Sequence, residues 1–185
     1  SFDNEKIFKF IHIPVQSGSD KVLNDMKRGH TAGTFRDIVQ KIKERFSEFT
    51  ISTDIIVGFP SETEEDFQKT VSLLDEIKPD VVNLSRYSAR PGTDAAELKQ
   101  IDDAESKRRS KIVFEQISKL SMESNKKWIG WKGKVLFDEK TDEGIKGRNF
   151  AYKPIAVNEP VELGQSYTVE ITDATVKRLI GKIAS

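Results

Sequence analysis

The sequence predicts an α/β fold followed by a small all-β barrel, on three observations. Apolar segments with strand and helix periodicity alternate through the first hundred residues. A charged stretch with helical spacing follows. After Trp128 the chain changes to short alternating segments punctuated by Gly, Asn-Glu-Pro and Asp turns.

Residues 7–15, IFKFIHIPV, read as a first strand ending at Pro14, and QSGSD as a polar turn. His12 is an imidazole in an apolar strand, either a satisfied core histidine or a ligand contact. Ser19 is placed to cap a short helix over about 20–28, with Val22, Leu23 and Met26 on one face. Thr34 is the expected cap of a longer helix over 35–46. There Phe35, Ile38, Val39, Ile42 and Phe46 keep the helical period while Arg36, Lys41, Lys43 and Glu44 face out.

The second strand, 51–57, leads into the stretch around which the first domain is organised, ISTDIIVGFPSETEED (51–66). Its β-branched run suits a buried parallel strand. Gly58 permits a sharp turn or a close ligand approach. Pro60 keeps Phe59 extended. Ser61 with Glu64 has the spacing of a capping box for a helix over 62–78, whose buried stripe is Phe67, Val71, Leu74 and Ile77 and which Pro79 ends. Residues 81–87, VVNLSRY, form a third strand, and SARPGTDAA is a loop with a Pro-Gly turn. Strand–helix alternation implies a parallel sheet with right-handed crossovers. In such sheets ligands bind at the carboxyl ends of the strands, where Gly58-Phe59-Pro60 falls.

Residues 102–127 have the pattern of one long connecting helix with Ile112, Val113, Ile117 and Leu120 inward. Its Lys107-Arg108-Arg109 run is either a solvated face or a phosphate contact. Five β segments follow: GKVLFD, GIKGRN, KPIAV, QSYTVEIT and VKRLIGKI. Val135 with Phe137, and Tyr167 with Val169 and Ile171, alternate at period two. A sheet this small buries enough surface only by closing, which predicts an antiparallel barrel. The expected division is 1–101, 102–127 and 128–185.

Composition narrows the chemistry. The 185 residues carry no net charge, but residues 126–185 hold 11 Lys/Arg against 8 Asp/Glu, a local +3 that leaves −3 on the remainder. The sequence contains no cysteine, so the chain offers no disulfide, thiolate metal site or cysteine-held iron–sulfur cluster. Two histidines, His12 and His30, do not make an ordinary zinc site. No apolar run approaches the ~20 residues of a membrane helix, and no signal-peptide pattern opens the chain, so a cytoplasmic location is expected.

Three long motifs, HIPVQSGSDKVLNDMKRGHT (12–31), TDIIVGFPSETEEDF (53–67) and SRYSARPGTDAA (85–96), resemble the radical S-adenosylmethionine methylthiotransferases. The C-terminal segments GKVLFD, GIKGRNFAYKPIAV and GQSYTVEIT resemble the TRAM domain of those enzymes, an OB-like RNA-binding barrel. GRNFAYKPIAV is most similar to the archaeal and eukaryotic branch. The resemblance implies the second half of a radical-SAM (β/α) barrel plus a TRAM domain. It implies a parent enzyme that adds a 2-methylthio group to N6-threonylcarbamoyladenosine beside the anticodon of tRNA, using S-adenosylmethionine and two [4Fe–4S] clusters. The family's cluster cysteines are missing here, so this segment alone is expected to bind no cluster and to be inactive.

The resemblance also implies roles for particular residues. Gln16 and Ser17 follow a strand end and suit a ribose hydroxyl. Arg28 suits the methionyl carboxylate. Ile56, Val57, Gly58 and Phe59 would flank the adenine of the cofactor. Arg86 and Tyr87 would face the substrate base, and Arg90 the RNA backbone. In the barrel, Lys132, Lys134, Lys146, Arg148, Tyr152 and Lys153 combine positive charge with a stacking face, the composition of an RNA surface. The alternative substrates are isopentenyladenosine in tRNA and a ribosomal protein; the alternative of another class is a non-catalytic RNA-binding module. A half-barrel also carries an open strand edge beside Ile11, Ile13, Ile55 and Val82, which predicts self-association.

Overall fold

A computed structural model describes residues 2–141 and 144–184. The elements, in order, are β1 (Phe10–His12), α1 (Asp20–Asp25), α2 (Ala32–Arg45), β2 (Thr50–Val57), α3 (Glu64–Ile77), β3 (Val81–Arg86), α4 (Asp94–Glu97), α5 (Asp103–Lys126) and the barrel strands β4 (Lys132–Thr141), β5 (Gly144–Arg148), β6 (Pro154–Val157), β7 (Ser166–Ala174) and β8 (Leu179–Ile183). The α/β sheet followed by a closed barrel matches the fold class expected from the sequence. Two compact units emerge, His12–Ser47 with Ile51–Ser118, and Ser1–Ile11 with Glu48–Thr50 and Lys119–Ser185.

The sheet has the order β1-β2-β3, in which β2 and β3 run parallel with Asp54 opposite Asn83 and Ile56 opposite Ser85; His12 of β1, β2 from Ile51 onward and β3 belong to the first unit. Strand alternation divides β2. Ile51, Thr53, Ile55 and Val57 are fully buried, whereas Asp54 and Ile56, of the opposite parity, are only half-buried. With Phe35, Val39, Phe67, Leu73 and Leu74 also buried, the helices close the first of these faces. Ile55 is therefore no part of an exposed edge, contrary to expectation, and the opposite face of the sheet carries His12, Asp54, Asn83 and Ser85.

Several element ends differ from the sequence reading. The first strand spans three residues because Pro14 has no amide to donate and Val15 N–H turns to the Thr53 hydroxyl at 3.1 Å. Thr31, not Thr34, caps α2, accepting Thr34 N–H at 3.0 Å. The cap of α3 is Thr63, in a full capping box with Asp66, rather than Ser61 with Glu64. Both pairs have the required spacing. Ser61 is diverted to Asp25 at 2.5 Å, and the Glu62 carboxylate accepts Gly58 N–H at 2.8 Å, which holds 58–62 as a turn. Ser19 occupies the cap position of α1, but its hydroxyl donates to Asp66 at 2.6 Å. α4 is an added helix inside the expected loop. His12 is exposed and lies 2.8 Å from Asp54, so it is not a core histidine.

The Lys107-Arg108-Arg109 run is also reassigned. Lys107 pairs with Asp103, Arg108 with Glu105 and Glu64, and Arg109, 5% exposed, with Glu62 and Glu105. These arginines dock the first part of α5 on the α3 side of the sheet and on the ring of Phe67, whose centroid lies 5.4 Å from the Arg109 guanidinium. The run is ion-paired and does not form an open phosphate site.

The second unit is a closed barrel of strand order β4-β5-β6-β8-β7. All but one of its pairings are antiparallel; β6 and β8 run parallel, so the barrel is mixed rather than antiparallel throughout. Its core holds Trp128, Val135, Phe137, Ile155, Val169, Ile171 and Leu179; of the alternating residues read from the sequence, Val135, Phe137, Val169 and Ile171 are in it, while Tyr167 packs against it partly buried. The last turn of α5 is tied to the barrel where Asn125 Nδ2 donates to Thr175 O at 2.9 Å. Residues 9 and 50 belong to this unit. Lys9 N–H donates to Phe150 O at 2.7 Å and Lys9 O accepts Thr50 N–H at 2.8 Å.

Candidate functional site

The carboxyl ends of β1, β2 and β3 open into a cleft of about 880 Å³, a size that holds a nucleoside-sized ligand. Gln16, Arg28, Ile56 and Phe59, expected at the cofactor, line it together with Arg86, Tyr87 and Arg90, expected at the substrate. Residues far apart in sequence thus converge on one wall-lined space. The remaining cofactor residues do not reach it. Ser17 is buried with its hydroxyl 3.3 Å from Thr70, and Val57 is buried among the helices. Gly58 acts through its backbone.

Gly58 has φ +79°, a left-handed conformation that glycine adopts without a Cβ clash. An added Cβ would lie 2.6 Å from the Ser106 hydroxyl and 3.2 Å from Ser106 Cβ. The turn is held from below by Glu62, whose Oε2 accepts Gly58 N–H at 2.8 Å and Arg109 Nη1 at 2.7 Å. Burial pushes the Glu62 carboxyl up, and Gly58 N–H and Arg109 oppose that shift. The turn presents Phe59 to the cleft, edge-on to Tyr87 at a centroid distance of 5.2 Å. The Tyr87 hydroxyl is buried and has no hydrogen-bond partner among the described residues.

Gln16 sits at φ +74°, uncommon for a side-chain-bearing residue. Its backbone is locked by Asp54 O and Ile56 N–H at 2.9 Å each. The cations of the cleft fall into two groups. Arg86 is paired with Asp103 at 2.7 Å and Lys27 with Asp94 at 2.6 Å, whereas Arg28 and Arg90 are exposed and make no ion pair among the described residues. These two are the guanidinium groups available to an anionic ligand.

Sequence reasoning missed Asp54, Asn83 and Ser85, which also line the cleft. A signal was present for the first. Asp54 is the single charged residue inside the β-branched strand, with the parity opposite to Ile51, Ile55 and Val57.

On the barrel, Lys132 and Lys134 are exposed on β4. Lys146 and Arg148 line a hollow of about 810 Å³ with Lys177 and Arg178, two cations the sequence reading had not singled out. Lys146 and Arg148 both pair with Glu139, at 2.8 and 2.6 Å, and thereby lose part of their pull on an anion. Tyr152 is enclosed by Phe8 and Phe10, each with its ring centroid 5.0 Å away, and by the Arg148 guanidinium at 4.3 Å. Lys153 is 2% exposed, with Nζ 3.1 Å from Ser124 Oγ and 3.3 Å from Asn125 Oδ1. It is a buried strut between α5 and the barrel.

Among the described residues, no group of His, Cys, Asp or Glu is arranged to hold a metal ion, and no helix is long and apolar enough to cross a membrane.

This geometry is that of an open cleft at strand ends, and residues 3–74 match the model of the Radical SAM superfamily. The chain is 43% identical over 189 aligned residues to a protein of Archaeoglobus fulgidus described as a probable threonylcarbamoyladenosine tRNA methylthiotransferase, covering 100% of this chain and 43% of that protein. A protein of Methanocaldococcus jannaschii with the same description is 46% identical over 182 residues, 98% of this chain and 42% of its own length. A tRNA-2-methylthio-N(6)-dimethylallyladenosine synthase of Magnetococcus marinus is 35% identical over 97% of this chain and 42% of its own length. The kinship read from the motifs is thereby shown: the chain is related over its whole length to radical S-adenosylmethionine tRNA methylthiotransferases, and it spans less than half the length of these relatives.

Proposed function

We propose that this chain supplies the cofactor-and-substrate cleft and the tRNA-binding barrel of a methylthiotransferase acting on N6-threonylcarbamoyladenosine beside the tRNA anticodon, in the cytoplasm. The observation that carries the reading is the convergence of Gln16, Arg28, Ile56, Phe59, Tyr87 and Arg90 on one cleft. Similarity favours the threonylcarbamoyladenosine substrate, since the relatives so described reach 46% identity.

The cleft suits S-adenosylmethionine by its donor set. Arg28 is a free guanidinium for the methionyl carboxylate, Ile56 and Phe59 form an apolar wall for the adenine, and the Gly58 turn lets backbone approach. When bound, S-adenosylmethionine supplies the radical chemistry and the methyl group of such enzymes. The residues here orient: Arg28 holds the carboxylate, Phe59 and Tyr87 exclude water from one wall, and Gln16 fixes a hydroxyl. The cysteine-free sequence does not fit an iron–sulfur cluster, so cysteine ligands of any cluster come from outside this chain. On the barrel, Lys132, Lys134 and the hollow with Lys146, Arg148, Lys177 and Arg178 bind tRNA phosphates. The outer edge of β1 is the site for pairing with a second copy; light scattering that reports a monomer at every concentration would reject it.

Calorimetric titration with S-adenosylhomocysteine tests the cleft. Binding that weakens about tenfold or more in Arg28→Ala supports it. Binding indifferent to this change, or none, refutes it. Nucleoside analysis of tRNA from a strain lacking the parent gene tests the substrate: retained 2-methylthio-N6-threonylcarbamoyladenosine would rule it out.

A further inference from the structure

One carboxylate on the cleft floor is held by all three strands of the sheet. Asp54 Oδ1 lies 2.8 Å from His12 Nε2 on β1 and 2.9 Å from Asn83 Nδ2 on β3. A carboxylate only accepts, so both neighbours donate, and together they saturate this oxygen. Oδ2 differs. Among the described residues it meets only Gln16 Nε2, at a long 3.4 Å. Asp54, Asn83 and Gln16 all line the cleft, and no lysine or arginine pairs with Asp54 among the described residues. The carboxylate therefore presents one oriented oxygen with unused acceptor capacity to whatever fills the cleft.

Two donors on one oxygen fix the plane of the carboxylate before a ligand arrives, so little ordering is left to do on binding. A site built this way selects for a hydrogen-bond donor and against an acceptor or a methyl group, which would leave the carboxylate oxygen unmatched. Of the groups on an adenine ring, the exocyclic N6–H is the donor. Its substituted form in N6-threonylcarbamoyladenosine keeps one N–H. An inosine ring presents a carbonyl there instead.

We infer that Asp54 is a specificity-determining residue of the cleft, accepting a hydrogen bond from the N6–H of an adenine ring through Oδ2, with His12 and Asn83 as its positioning residues. The inference rests on the nucleoside reading of the cleft. The ring belongs either to the substrate base or to the cofactor, which share this chemistry.

The test is a calorimetric comparison of adenosine, N6-methyladenosine, N6,N6-dimethyladenosine and inosine with the 185-residue chain. N6-Methyladenosine keeps one donor and the dimethyl compound has none. The dimethyl compound and inosine are expected to bind about tenfold or more weakly than N6-methyladenosine, the cost of an unmatched charged acceptor. In Asp54→Asn, whose amide can donate, the preference for adenosine over inosine should narrow or reverse. Because the ligand series uses the unaltered chain, the result stands even where the variant fails to fold. Repeating the series with S-adenosylhomocysteine saturating identifies the ring. A surviving preference assigns the substrate base, an abolished one the cofactor, and each upholds Asp54 as the acceptor. Equal binding of the mono- and dimethyl compounds, or an Asp54→Asn variant that folds and keeps the wild-type preference, overturns the inference and leaves the cleft reading standing. Failure of every nucleoside and of S-adenosylhomocysteine to bind overturns both.

Discussion

Replacing Gly58 with alanine tests the central turn of the cleft. Two costs arise. Holding a side-chain-bearing residue at φ +79° costs about 1–2 kcal/mol. The new methyl also meets Ser106, 8% exposed on α5, at 2.6 Å from its hydroxyl and 3.2 Å from its Cβ. Rotation of the Ser106 hydroxyl relieves the first contact and leaves the second, so overpacking adds about 1 kcal/mol, the low end for an inserted methyl. The expected destabilisation is therefore about 2–3 kcal/mol. Urea unfolding of Gly58→Ala, Ser106→Gly and the double variant separates the two parts in a double-mutant cycle. The coupling should return about 1 kcal/mol, since Ser106→Gly removes the steric contact and cannot relieve the dihedral. An additive cycle would refute the contact with Ser106. A Gly58→Ala variant as stable as wild type would refute the left-handed turn itself.

Three further outcomes follow from the same packing. Asp66 is buried, which alone would raise its pKa, yet hydrogen bonds from Ser19 and Thr63 and the nearby Lys21 hold it at about 2. A depressed acid contributes stability above its unfolded pKa, so about 2 kcal/mol should be lost as pH falls from about 4 to 2; acid unfolding of Asp66→Asn that retains this slope would contradict it. Arg109→Met leaves the buried Glu62 carboxylate without its cation and should cost about 3–5 kcal/mol in urea unfolding, much of it recovered by adding Glu62→Gln; a loss under 1 kcal/mol by that measurement would argue against the pair. In the barrel, a Cβ on Gly147 would lie 2.6 Å from Val135 Cγ1, so Gly147→Ala should destabilise by about 1–3 kcal/mol, read as a lowered thermal midpoint.

The sequence alone determined the order and type of the elements apart from the short helix α4, which lies where the sequence pattern reads as loop. Period-two and period-3.6 spacing are local properties, set by which face of a strand or helix must leave water. Strand–helix alternation then leaves a parallel sheet as the consistent topology, and the alternating Val135, Phe137, Val169 and Ile171 did become the barrel core. Helix starts were less legible. Ser61 with Glu64 and Thr63 with Asp66 have identical spacing, and the choice between them came from distant partners, Asp25 for Ser61 and Arg109 for Glu62. Charged residues were the least legible of all. Arg109 and Lys153 read as surface cations but are buried against Glu62 and Asn125, while Arg28 and Arg90 remain open to the cleft. A charge is placed by whatever counter-charge the fold brings beside it, and those partners lie tens of residues away. The same holds for Asp54: its strand parity was written in the sequence, but the donors His12 and Asn83 that orient its carboxylate meet it only when three parallel strands come into register.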